Sequence, residues 1–151
     1  MVEVILMAHV MFGMLCIVTS VWVFVDVLNV NDANIARIRL MSFGVAIFYW
    51  LAFLIGGYWY VVHYGADKAF ILKGSWPFAH KFFMETKEHL VIMLLLLVTY
   101  LPIVASNNLT ASKEARTLAL WVVGLIALIA FVADGSGAII AIGAKLGLLP
   151  K

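Results

Sequence analysis

The segment AHKFFMETKEHL, residues 79 to 90, places His80, Lys81, Glu85, Lys87, Glu88 and His89 directly before the apolar run Leu90 to Tyr100. Imidazoles and carboxylates at this density can ligate a metal, hold a haem or pass protons. Glu85 and His89 are four residues apart, so a helix puts them on one face. With Glu88 and with His9, His63 or His80, they form a donor set able to bind zinc, iron or manganese. The same spacing also allows a plain hydrogen bond between Glu85 and His89, with Lys81 paired to Glu85. Met7, Met11 and Met14 lie together and could suggest copper, but methionine is common filler in apolar helices.

A second chemistry pairs His9 with His89. A b-type haem takes axial nitrogens from facing helices and needs small residues nearby to admit the porphyrin. Gly13 supplies such room. Phe12, Tyr60 and Phe131 could line the ring, and Lys81 or Lys87 could meet the propionates. The alternative is two unrelated histidines hydrogen-bonded within a bundle.

Such residues need elements to carry them, and composition says which. The chain has 151 residues, 66% of them hydrophobic and only 12% charged. That charge content is about half of a soluble domain's. Mean hydropathy is +1.11. Long uninterrupted apolar runs of this kind are membrane-spanning helices. The expected fold is all-α: an integral membrane four-helix bundle, up-down-up-down, forming a single domain over residues 1–151. Spans are expected at about 2–28, 38–62, 82–104 and 117–142. Polar turns, NVNDANIAR and SNNLTASKEAR, separate the outer pairs, and Ser112 can start the last helix. The connection HYGADKAFILKGSWPFAH, with Gly65, Gly74 and Pro77, joins the second span to the third. The last apolar run, Thr117 to Leu149, would be roughly 50 Å as one helix, longer than a hydrocarbon core. The motif ADGSGA at 133–138 interrupts it. Either the helix breaks near Gly135–Gly137 and a short C-terminal interfacial helix follows, or it bends and continues. The N-terminal run lacks a basic n-region and a cleavage site and is too long for a signal-peptide core, so a retained helix is expected.

Four antiparallel spans bring both termini to one side, the near face. His9, His63, His80 and His89 all fall in that half, with Glu85, Glu88, Asp134 and Lys145. The far half holds Asp26, Asp32, Arg37, Arg39, Lys113, Glu114 and Arg116. Asp26 should reach the far interface and pair with Arg37 or Arg39. Lys and Arg number six toward the near face and four toward the far one. That count weakly favours a cytoplasmic near face.

Each span has one distinctive face. In the first it is His9, Gly13, Cys16 and Ser20; in the second, Ser42, Ala46, Tyr49, Phe53, Gly56, Tyr60 and His63. In the third it is Glu85, His89, Met93, Leu96 and Tyr100; in the fourth, Gly124, Ala127, Phe131, Asp134, Ala138 and Lys145. Intramembrane ionisable groups usually face the interior and have a partner. Asp134, with His63 and His80, is therefore assigned to a polar or proton-carrying network. The single cysteine, Cys16, excludes an internal disulfide and a CxxC redox pair. A net charge of +2 is too small to suggest nucleic acid.

The stretch AHVMFGMLCIVTSVWVFVDVL resembles the first helix of a loose group of small membrane proteins. The group includes the copper-resistance D family and the membrane protoporphyrinogen-oxidase family. Their first helix carries a His, a small-residue stripe and a Trp, here His9, Gly13 and Trp22. Their third often opens with a basic residue before a Leu-rich run, and ETKEHLVIMLLLL offers Lys87. The resemblance implies a His-ligated haem b with His9 as a ligand.

The functional expectation is a membrane-embedded b-type haem protein. His9, His89, Gly13 and Lys87 bind the cofactor, which serves electron transfer or a redox step at one membrane face. Non-haem metal-ion binding or transport through His9, His89, Glu85 and Glu88 is the first alternative, and a structural subunit of a larger membrane complex the second. The expected partners are the lipid bilayer and either a membrane redox protein or further copies of the chain. The expected location is the inner or plasma membrane of a prokaryote.

Overall fold

Each polar turn in the sequence ends a helix. The computed structural model describes residues 2–148. In chain order they form α1 (Val2–Leu28), α2 (Ile35–Val62), α3 (Tyr64–Lys73), a π-helical stretch (Ala79–Met84), α4 (Glu85–Ala105) and α5 (Lys113–Gly147). No strand occurs among the described residues. Four helices are long and apolar enough to cross a membrane: α1, α2, α5 and the continuous Ala79–Ala105. They form an antiparallel bundle. α1 packs on α2 and α5, and α4 packs on the same two helices, so α1 and α4 lie on the diagonal.

The turns are built as their composition demands. After α1, the Asn31 side chain accepts from the backbone N–H groups of Ala33 and Asn34, while Asn34 donates back to the carbonyls of Asp26 and Asn29. Ser112 caps α5 by accepting from the Ala115 N–H at 3.1 Å. Arg37 grips Asp26 through two contacts of 2.7 Å. Arg39 instead donates to the carbonyls of Ala105 and Ser106, at the open end of α4.

The core runs along the bundle axis and includes Val23, Val27, Ile38, Val45, Leu94, Val98, Leu101, Val123 and Ile126. Many large apolar side chains on the spans stay exposed, among them Met7, Leu40, Leu96, Trp121 and Phe131, and these are left for lipid. The expected faces of α1 and of most of α2 are inward: Gly13, Cys16, Ser20, Ser42 and Tyr49 are buried, but Tyr60 is exposed. On the expected face of α5, Phe131, Ala138 and Lys145 are exposed, so Tyr60 and Phe131 do not line an interior pocket. The expected face of the third span is the reverse. Glu85, His89, Met93, Leu96 and Tyr100 are all exposed, and Leu94, Val98 and Leu101 point in. The apolar run there is uniform, so periodicity could not mark its inner side.

Three further differences concern length and continuity. α5 is unbroken through Gly135–Gly137 and extends to Gly147, so there is no separate C-terminal helix among the described residues. In lipid every backbone N–H and C=O needs an internal partner, which favours continuing the helix through glycine. At 35 residues it is about 52 Å long and overreaches the hydrocarbon core on the near side. The connection between α2 and α4 is not a loop throughout. His63 turns the chain, and α3 folds back on the end of α5 with Tyr64 and Ile71 buried. Glycine permits this closeness: a methyl group on Gly74 would lie 2.8 Å from the Cα of Gly147. Finally, the third span begins at Ala79, through the π-helical stretch, rather than near Phe82.

Candidate functional site

Helical rise sets the level of each near-face group. His9 lies 17 residues from Asp26, Gly56 lies 19 from Arg37, Lys87 lies 19 from Ser106 and Asp134 lies 18 from Arg116. Each separation is roughly 26–28 Å. The four positions therefore share one layer, at the near edge of a core about 30 Å thick.

In that layer three glycines make room for three ionisable side chains. A methyl group on Gly13 would lie 3.0 Å from both carboxylate oxygens of Asp134. One on Gly56 would lie 2.5 Å from Nδ1 of His9, and one on Gly137 would lie 2.9 Å from Nζ of Lys87. Gly13 is one turn along α1 from His9, and Gly137 is one turn along α5 from Asp134. The side chains of α1, α4 and α5 thus meet over the glycines of α1, α2 and α5.

The hydrogen bonding is incomplete. His9 Nδ1 is 2.8 Å from the carbonyl of Ala52. A carbonyl can only accept, so Nδ1 carries the proton, and Nε2 is the nitrogen left to gain one. Asp134 Oδ2 is buried and has no hydrogen-bond partner. Among the described residues, Arg37–Asp26 is the only cation–carboxylate pair within 4.0 Å. Lys87 and His9 therefore both stand off from Asp134 by more than a direct contact. The neighbouring Tyr49 is already committed, donating to the Val91 carbonyl at 2.8 Å.

Among the sequence-predicted residues, His9, Gly13, Lys87 and Asp134 are brought together here. The others are not. His89 is exposed on α4, its Nδ1 on the Glu85 carbonyl of its own helix at 2.8 Å. Glu85 is exposed, and Glu88 accepts from the Tyr60 hydroxyl at 2.6 Å. His63 sits at the α2–α3 corner with its ring edge-on to Tyr58 at 6.1 Å. His80 is buried against Tyr64, whose hydroxyl lies 2.9 Å from its Nδ1. No three His, Cys, Asp or Glu side chains gather as a metal site among the described residues. The His9–His89 pair does not form a haem ligand set in this arrangement: the two lie on diagonal helices, and one imidazole faces out.

Sequence reasoning passed over Gly137, and it placed Gly56 on a face without linking it to His9. The signal was present in the helical offsets, Gly13 following His9 by four and Gly137 following Asp134 by three. It became specific only once the helices were paired. Outside the spans, burial raises the pKa of the Asp67 carboxyl on α3, and that of the Tyr64 phenol. Protein-family models, curated proteins and solved structures yield no match to this chain.

Proposed function

We propose that this is a multi-pass membrane protein that takes up and passes protons at the half-buried Asp134 carboxyl, with Lys87 and His9 as its exchange partners. The observation that carries this reading is the sealed, unpartnered Oδ2 of Asp134 beside two basic groups from other helices. Ionisable groups inside a membrane are costly, and those retained commonly mark ion or proton pathways. Here the carboxyl can be held as a neutral acid, or as a carboxylate offset by Lys87 or by protonated His9. Interchange between these forms moves one proton between α5 and α4 or α1. The site's level puts it within a turn or two of the near-face water. An α-helical bundle rather than a strand barrel suits an inner or plasma membrane.

The test uses purified protein in lipid vesicles. Proton uptake under a potassium diffusion potential is followed with an entrapped pH dye, and the carboxyl stretching band by infrared spectroscopy across pH. Asp134→Asn should remove both the flux and the pH-dependent band, and Lys87→Met should slow the flux. Wild-type flux equal to that of empty vesicles, together with a carboxyl band indifferent to pH, would refute the reading.

A second reading, b-type haem, is favoured by one observation. The His9 Nδ1–H bond to Ala52 orients the ring and leaves Nε2 free, as in many ligating histidines. His89 would have to leave the Glu85 carbonyl to serve as the other ligand. An absorption spectrum of the purified protein decides it: a Soret band lost in His9→Ala supports haem, and none in the folded protein removes it.

A further inference from the structure

The near-face layer between α3, the π-helical stretch and α5 holds a second polar arrangement, distinct from the Asp134 site. Tyr64 is 3% exposed and His80 6%. The Tyr64 hydroxyl lies 2.9 Å from Nδ1 of His80, within the reach of a proton transfer. Tyr60 stacks on Tyr64 with ring centroids 5.3 Å apart and planes 20° from parallel. Its own hydroxyl donates to Glu88 Oε1 at 2.6 Å. Trp59 lies against the other ring at 5.7 Å. Two stacked phenols thus each hold their own proton acceptor. His80 is delivered by a π-helical stretch, rare in proteins and frequent at functional sites.

We infer that Tyr64 and His80 form a redox-active pair, in which Tyr64 gives one electron to a strong one-electron oxidant and its hydroxyl proton to His80. The acceptor is a metal-centred or radical oxidant supplied from outside the chain. The Tyr64 O–H bond breaks, an Nδ1–H bond forms on His80, and the oxidant is reduced by one electron. The products are a neutral phenoxyl radical and an imidazolium. Re-reduction returns the electron to the ring and the proton to the oxygen.

Physical chemistry favours coupling the two transfers here. Burial raises the Tyr64 pKa, so prior ionisation to phenolate is disfavoured. Loss of the electron alone would leave a cation radical in an apolar layer, which is costly. A positioned base avoids the phenolate and moves the positive charge from the phenol to an imidazole, the stronger base, although the burial of His80 reduces that gain. The Tyr60 ring offers a stacked neighbour over which the hole can spread, and Glu88 plays for Tyr60 the part His80 plays for Tyr64. This inference stands on the aromatic layer and is independent of proton passage at Asp134.

The test oxidises the full-length protein in detergent with a photogenerated ruthenium(III) tris-bipyridyl complex. The radical is read by electron paramagnetic resonance and transient absorption. In a Tyr60→Phe background, which removes the exposed phenol that Glu88 serves, the protein should give a tyrosyl signal that Tyr64→Phe removes while Tyr58→Phe leaves it unchanged. His80→Gln keeps a hydrogen-bond acceptor but not a base. It should slow radical formation about a hundredfold, the low end of what a positioned base contributes. Helical circular dichroism confirms that each variant is folded. In the folded Tyr60→Phe protein, a signal that survives Tyr64→Phe, or a rate that His80→Gln leaves unchanged, would overturn the inference.

Discussion

Replacing Gly56 by alanine tests the glycine-cradled layer without touching any ionisable group. The added methyl would lie 2.5 Å from Nδ1 of His9 and 2.6 Å from its Cε1, too close to be tolerated. The ring must then move, and its 2.8 Å bond to the Ala52 carbonyl must lengthen or break. Overpacking of this kind costs about 1–3 kcal/mol. The lost hydrogen bond adds about 1 kcal/mol. The better helix propensity of alanine offsets up to about 1 kcal/mol. The net loss is about 2 kcal/mol, roughly a thirtyfold shift in the folding equilibrium. Gly57 is the control, since a methyl there meets nothing within 4 Å. The assay is reversible unfolding in mixed micelles by titrated sodium dodecyl sulfate, followed by helical circular dichroism. Gly57→Ala should be neutral or slightly stabilising. In a His9→Ala background the ring is gone, so Gly56→Ala should lose its penalty and keep only the propensity gain, giving a coupling of about 3 kcal/mol. Equal midpoints for the Gly56 and Gly57 variants, or an undiminished penalty without the imidazole, would show that His9 does not pack on α2.

Two further outcomes follow from the near-face layer. A methyl on Gly147 would collide with the Phe70 backbone carbonyl, which cannot swing aside as a side-chain tip can. Gly147→Ala should therefore loosen α3 from α5 by about 1–3 kcal/mol and speed protease cleavage between Tyr64 and Phe78, with cleavage at the far-face turns unchanged. Burial raises the Asp67 pKa above its ordinary 3.8, so the native state holds this proton more tightly than the unfolded chain. The stability it contributes is full below that ordinary value and is lost as pH rises through the raised one. Asp67→Asn should melt higher than the wild type at neutral pH, with the gap closing in acid. A gap that widens in acid would reverse the assignment.

The apolar runs and their polar turns determined four spans, their antiparallel order and the near-face gathering of histidines, because lipid leaves a chain of this hydropathy no other way to satisfy its backbone. The far-face closure was equally legible: Asp26 could be matched to a nearby arginine from charge and position alone, and the structure selects Arg37. Which way each span faces was not legible where the run is uniformly apolar. Lys87 and His89 are two residues apart, so they cannot share a helix face. Only the packing of α4 on α2 and α5 decided that Lys87 turns in and His89 out. The continuation of α5 past Gly135–Gly137 and the docking of α3 upon it also belong to tertiary structure. Glycine permits close approach wherever it occurs, but a neighbour must arrive before that permission has any consequence. The meeting of Asp134 with Gly13, His9 with Gly56, Lys87 with Gly137 and Tyr64 with His80 depends on helix pairing, for which a one-dimensional pattern holds no coordinate.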